Sequence, residues 1–197
     1  MPFQYPSEPH ERIHGPTGYA SYKSYRGSLR DELLFRCVYC LKGERWGQLK
    51  TGFELDHFIP QSISPEAKLS YDNLLYACAS CNSAKRALLL PNPLHCLLSE
   101  SVQILEDGSV TAKNEEAALL IRLLGLGSPE YREYRQLMLN IIELARQYDP
   151  DLYRRLMGYP EDLPDLETLR PPGNTRPDGV AYSCFAMRSR DELPETY

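Results

Sequence analysis

The sequence contains no apolar run of membrane-spanning length; none of its windows approaches the ~18 consecutive apolar residues that mark a transmembrane helix. The opening stretch MPFQYPSEPHERIHG lacks a basic segment followed by an apolar one, so it does not read as a secretory leader. Together these absences lead to the expectation of a soluble, cytoplasmic protein with no membrane partner. There is no internal repeat. There is also no excess of positive charge: 22 Lys+Arg stand against 27 Asp+Glu, a net of -5. That balance argues against a protein that coats nucleic acid over its whole surface. Six cysteines in a reducing compartment are not expected to pair as structural disulfides, and 197 residues can bury a core without them.

The charge is uneven. Residues 1–90 carry 11 Lys+Arg and 9 Asp+Glu, a net of +2, whereas residues 91–197 carry 11 and 18, a net of -7. Residues 1–27 are rich in Tyr, Pro, Ser and Gly without helical or strand period, and read as an irregular arm. SLRDELLFR (28–36) reads as a short helix with Ser28 as N-cap, and FELDHFIP as a short strand closed by Pro60. A polar loop over 62–72 follows, then a helix from Asn82 to Leu90 stopped by Pro91-Asn92-Pro93. Beyond 94, SVQILEDGSVTA reads as a hairpin turning at Asp107-Gly108. Helices are expected over 114–124, from Ser128 to about Tyr148, and over 150–157. The chain thus divides into an arm (1–27), a first domain (28–93), a hairpin with a helical region (94–158) and an acidic, Pro-rich tail (159–197).

Four cysteines form two C-x-x-C pairs, Cys37/Cys40 and Cys78/Cys81, with 37 residues between the pairs. Each pair can bend on a tight knuckle, and two knuckles place four thiolates around one tetrahedral zinc. All four positions are then filled by protein, so this Zn²⁺ would be structural. The gap exceeds the ~15–20 residues of a simple zinc ribbon, so an element is inserted between the knuckles. A redox C-x-x-C fits poorly without a surrounding βαβ pattern. Cys96 and Cys184 have no partner at ligand spacing and read as ordinary thiols.

The insertion carries Asp56-His57 at a strand end and Asn73; Asn82 follows the second knuckle directly in CASCNSAK. On these positions the sequence resembles the HNH endonuclease family, and specifically its zinc-bearing branch, in which two C-x-x-C pairs bracket the motif. The resemblance covers about residues 28–90. It implies an α+β chain whose ββα-metal core holds the structural zinc, followed here by the hairpin and a C-terminal helical region. It also implies hydrolysis of phosphodiester bonds in DNA, with RNA not excluded.

Phosphodiester hydrolysis needs a water that loses a proton and positive charge on the leaving oxygen, which a hard divalent ion such as Mg²⁺ or Mn²⁺ supplies. Asp56 and Asn82 suit that ion, and His57 suits the general base. Adjacent strand residues point to opposite faces, so Asp56 and His57 act together only if the strand ends there. The resemblance gives Asn73 the task of orienting His57 or holding the loop. Asn82 stands where many members have His, and an amide oxygen remains an acceptable ligand.

Lys85, one helical turn after Asn82, and Arg86 can reach phosphate, although such a pair is more often a solvated helix face. An isolated Asp-His pair on an apolar strand is usually structural; the flanking knuckles reverse that reading here. His10, His14 and His95 have no matching partners. The Tyr19, Tyr22 and Tyr25 stripe beside Lys23 and Arg26 is better read as packing than as a stacking arm. A second function stays open, a catalytically inactive zinc-ribbon module that binds nucleic acid or protein. The acidic half offers no base-reading motif and reads as a partner surface. By resemblance, that points to a nuclease subunit of an antiphage or restriction system beside an ATPase or sensor.

Overall fold

The computed structural model describes residues 2–46, 52–169 and 178–197; residues 170–177 of the expected tail lie outside the described residues. None of the described helices is long and apolar enough to cross a membrane.

A 3-10 turn over Tyr22–Tyr25, capped by Ser21, runs straight into helix α1, Arg26–Glu32. The helix therefore starts earlier than Ser28 and stops earlier than Arg36. It stops because Leu34 and Phe35 take φ of 50° and 57°, the left-handed region that bulky residues rarely enter. Phe35 is held there by complete burial and by its N–H on Arg30 O at 2.7 Å. The reversal delivers the chain to Cys37.

Strands β1 (Phe53–His57) and β2 (Leu74–Cys78) pair antiparallel, with Phe53 opposite Cys78 and His57 opposite Leu74. Every residue of β2 is buried, and Tyr76 stacks on Phe53 across the pair at 5.1 Å between ring centroids. Helix α2, Ala79–Lys85, follows β2 without a loop. It begins three residues before the expected Asn82 and ends well short of Leu90, since Arg86 turns the backbone with φ 49°. These three elements are the ββα core. The polar loop between the strands contains two 3-10 turns, Pro65–Leu69 and Tyr71–Asn73.

A short helix α3, Pro93–Cys96, occupies the place where the prolines were expected only to stop a helix: Asn92 caps it and Pro93 is its first residue. The expected hairpin forms as β3 (Val102–Ile104) and β4 (Val110–Ala112), with Gly108 at φ 76° in the turn. The expected helices form as α4 (Glu115–Leu123), α5 (Pro129–Tyr148) and α6 (Pro150–Met157), capped by the side chains of Asn114, Ser128 and Asp149. A last helix, α7 (Cys184–Ser189), lies in the stretch read as a tail, and Cys184 packs with Phe35 and Leu163.

One apolar core takes Phe3, Tyr5 and Tyr25 from the arm, Leu74 to Ala77 from β2, and Leu120, Met138, Ile142 and Met157 from the later helices. The arm is pinned by buried polar groups as well. His14 donates Nδ1–H to Asp178 O at 3.0 Å and meets Asp31 at 2.8 Å, while Glu32 accepts from Ile13 N–H at 2.6 Å and from Tyr71 O–H at 2.7 Å. A carboxylate that satisfied in a dry place holds its neighbours in one arrangement.

Candidate active site and metal centre

The first knuckle is built by Leu41 N–H on Cys37 O (2.9 Å), with Leu41 at φ 60°, and is tied to the sheet by Val38 N–H on Tyr76 O (3.0 Å). The second is the junction of β2 and α2, which bears Cys78 and Cys81. Ligand atoms of all four cysteines lie within 4.8 Å of one another, and all four residues are buried. Cys40 and Cys78 sulfurs are 3.7 Å apart. Tetrahedral zinc with Zn–S bonds of about 2.3 Å requires sulfurs roughly 3.8 Å apart, so the residues fit the ion. Four thiolates this close would repel one another, and a cation removes that obstacle. Helix α5 roofs the cluster, with Tyr131 Oη 3.3 Å from Cys81 Sγ. This cluster is a candidate zinc site.

The second centre lies at the end of β1. His57 Nε2 is 3.0 Å from Lys68 O, and because a carbonyl can only accept, Nε2 carries the proton. Nδ1 is therefore the basic nitrogen, and the Gln61 side-chain amide lies 3.2 Å from it. Tyr22 sets its ring edge-on to the imidazole, 4.7 Å between centroids. Burial lowers the His57 pKa from its ordinary 6.5, outweighing the Lys68 carbonyl and Asp56, which favour the cation. His57 is thus neutral at pH 7 and able to accept a proton.

The Asn73 side chain bonds to loop backbone. Its Oδ1 accepts Ile59 N–H at 2.7 Å, and its Nδ2 donates to Ile59 O at 3.0 Å and Ala67 O at 3.3 Å. It ties the two ends of the loop together next to Lys68, whose carbonyl orients His57.

Asp56 and Asn82, expected to share a cation, take different hydrogen-bond partners. The alternation of β1 turns Glu54 and Asp56 toward α2, where Asn82 and Lys85 lie one helical turn apart. Two rungs result. Asn82 Nδ2 donates to Glu54 Oε2, at the exposed end. Lys85 donates to Asp56 Oδ1 at 3.1 Å and to His57 O at 2.7 Å, and Tyr39 O–H donates to Asp56 Oδ2 at 2.6 Å. Asp56 is 3% exposed and Lys85 0%. Burial raises the Asp56 pKa, against the lowering effect of Lys85 and Tyr39.

The expectation that Lys85 reaches phosphate is corrected by that geometry: its ammonium is spent inside the protein. A Lys stem one turn beyond Asn82 points under the helix, and only Arg86, past the helix end, is exposed. Lys23 of the arm is exposed. A cleft of about 450 Å³ is lined by Tyr22, Lys23, Arg26, Glu54, Leu55 and Asn82, with Phe53 at its floor. Tyr25 of the tyrosine stripe packs in the core as expected, while Tyr22 joins the cleft to His57. Glu54 and Tyr22 were legible from strand alternation and from the stripe; the Lys68 carbonyl, being backbone, left no sequence signal.

Residues 37–87 match the model of the HNH endonuclease family. No curated protein and no solved structure matches the chain. The matched stretch begins at the first knuckle cysteine, ends just beyond α2 and contains His57, Asn73 and Asn82. Residues 37–87 are an HNH endonuclease domain, and the four-cysteine candidate zinc site lies within it.

Proposed function

We propose that this protein is a metal-dependent endonuclease that hydrolyses phosphodiester bonds in DNA, with His57 as the general base. The observation that carries this reading is the fixed tautomer of His57: Lys68 O holds the Nε2 proton, and burial keeps the ring neutral. Nδ1 takes the proton of the attacking water. The Gln61 side-chain amide donates to Nδ1 at 3.2 Å and has to yield that lone pair to the water, while Asn73 keeps the loop that carries the Lys68 carbonyl in position. Lys23 and Arg86, both exposed, contact the phosphate backbone on either side.

The oxygen donors of Asn82 and of a β1 carboxylate suit a hard cation, Mg²⁺ or Mn²⁺, which when bound stabilises negative charge on the leaving oxygen. Cys37, Cys40, Cys78 and Cys81 would hold a structural zinc, which would fix the junction of β2 and α2 that bears Cys78 and Cys81. Purified protein incubated with plasmid and linear DNA should cut in Mg²⁺ or Mn²⁺ and stop on chelation, and His57→Ala should not cut. An RNA arm in the same assay reads the substrate class, and nicked against linear plasmid reads strand number.

One observation favours a second reading. The Asp56–Lys85 pair engages the carboxylate next to the base, as suits a zinc-bearing binding module without catalysis. Nucleic-acid binding with no cleavage in any divalent ion would support that module. The net of -7 over residues 91–197 supports a place beside a protein partner, such as an ATPase or sensor of an antiphage or restriction system. Because α5 roofs the cysteine cluster, that idea is tested by co-purification of the intact chain and not by truncation near Pro91.

A further inference from the structure

We infer that the cleft between the outer edge of β3 and helix α5 is a docking site for an extended, basic peptide segment of a protein partner, which adds to β3 as a third strand. The inference goes beyond the nuclease reading and stands or falls without it. It gives a place and a chemistry to the partner surface proposed for the acidic half of the chain.

The first ground is an open strand edge. β3 and β4 form a two-stranded sheet by themselves. Ser101 O accepts Lys113 N–H at 2.8 Å and Leu105 N–H donates to Ser109 O at 2.9 Å, at the two ends of the pairing that sets Ile104 opposite Val110. Bonded positions alternate with unbonded ones in an antiparallel pair, so Val102 and Ile104 turn their backbone groups to the other edge. Val102 N–H is taken there by Leu98 O at 2.8 Å. Ile104 N–H, Ile104 O and Val102 O have no hydrogen-bond partner among the described residues. An edge of this kind is a template for another chain.

The second ground is what lies beside that edge. A cleft of about 830 Å³ is lined by residues 103–107 on one side and by Leu139, Ile142 and Glu143 of α5 on the other, with Phe3 among its walls. Side chains of successive strand residues alternate between faces. A cleft that touches an unbroken run from 103 to 107, and no described residue of β4, therefore follows the β3 edge. Its volume falls in the ~300–1,000 Å³ range of sites that enclose a ligand. Ile104, Leu139, Ile142 and Phe3 offer apolar surface to alternate side chains of an added strand. In this mode of recognition the backbone bonds give affinity and such pockets select side chains.

The third ground is charge. Glu106, Asp107 and Glu143 line the cleft, and among the described residues no Lys, Arg or His does. Asp107 pairs with Arg132 and Glu143 with Arg146, both at exposed positions where an ion pair is worth little. Glu106 is exposed and has no ion-pair partner among the described residues. Residues 91–197 carry a net charge of -7, so the surrounding field has the same sign. Such a rim repels phosphate and opposes edge-to-edge pairing with a second copy of the chain. It attracts a segment that alternates apolar residues with Lys or Arg.

The test uses the zinc-loaded full-length protein and a short fluorescent peptide that alternates valine with lysine, followed by fluorescence anisotropy without nucleic acid. The peptide should bind saturably. The same peptide methylated on its backbone amides, and one that alternates valine with glutamate, should each bind at least about tenfold more weakly. Hydrogen exchange read by NMR should show the Ile104 amide unprotected in the free protein and protected in the complex. Ile104→Pro removes only the outward N–H, since that group is not part of the β4 ladder, and should weaken binding at least about tenfold. Glu106→Lys/Glu143→Lys reverses the rim and should do the same with an unchanged thermal midpoint. If Ile104→Pro does not fold, the methylated peptide decides the same question. No saturable binding, wild-type affinity of the methylated peptide or of a folded variant, or an Ile104 amide that stays unprotected in the complex would each overturn the inference. Plasmid cleavage by the same preparations separates it from the nuclease reading. A chain that binds the peptide without cutting keeps the cleft and loses the nuclease, and one that cuts without binding the peptide does the reverse. A partner co-purified equally by wild type and by Glu106→Lys/Glu143→Lys would keep the partner surface and remove the cleft.

Discussion

Glu54 and Asp56 stand two residues apart on one strand and face the same helix, yet they meet it under opposite conditions. Glu54 meets an amide at the rim of an open cleft; Asp56 meets an ammonium and a phenol in a dry interior. Strand alternation decides which face a carboxylate takes, and depth along the strand decides its work. At the wet end a charge costs little and its lone pairs stay available. At the dry end a charge needs a partner for each oxygen, and once it has them it holds structure together. His57, proposed above as the general base, is the next residue and the last of the strand.

The comparison can be broken most severely at its foundation. Both rungs hang on the junction of β2 and α2, which the second knuckle creates. Cys78→Ser, or exhaustive chelation, should remove zinc and with it the order of the ββα core; apparent binding energies of about 10–16 kcal/mol for such sites make unfolding the expected outcome. Circular dichroism alongside elemental analysis reads this, and a native fold without zinc would count against the knuckle's structural role. Next in size is the dry rung. Asp56→Ala strands the Lys85 ammonium and should destabilise by about 3–5 kcal/mol in urea titration, with the Asp56→Leu/Lys85→Met pair recovering part of the loss. An unchanged midpoint would show that the pair is not the strut described.

His57→Ala should lower cleavage by about 10²–10⁴-fold, to below detection in the plasmid assay, with zinc content retained. The smallest effect concerns pH. Only neutral His57 accepts a proton, and burial lowers its pKa, so cleavage should fall as pH drops through a value below 6.5. Tyr22→Ala admits water beside the ring and should move that inflection up toward 6.5; an unmoved inflection would show that Tyr22 does not shield the ring.

Much of this was legible in sequence, unevenly. The hairpin and helices α4 to α6 announce themselves because their ends are written locally, in Asp107-Gly108, Asn114, Ser128 and Pro129. The cysteine spacing and the Asp-His and Asn positions mark the ββα core. What could not be read is tertiary. The positive-φ turn at Phe35 is imposed by burial, and no local propensity favours it or the one at Arg86. Lys85 looks like a surface base, since nothing in its neighbours reveals that Asp56 waits beneath the helix. The arm looks structureless because Phe3, Tyr5 and His14 are anchored by distant residues and not by period.

The most direct measurement is cleavage of plasmid DNA by the purified, zinc-loaded chain in Mg²⁺ or Mn²⁺, with chelator and His57→Ala as parallel arms. Divalent-dependent cutting that disappears in His57→Ala, while its zinc content and fold persist, is the predicted result. Cutting that survives the substitution, or intact DNA in every divalent ion, would contradict it.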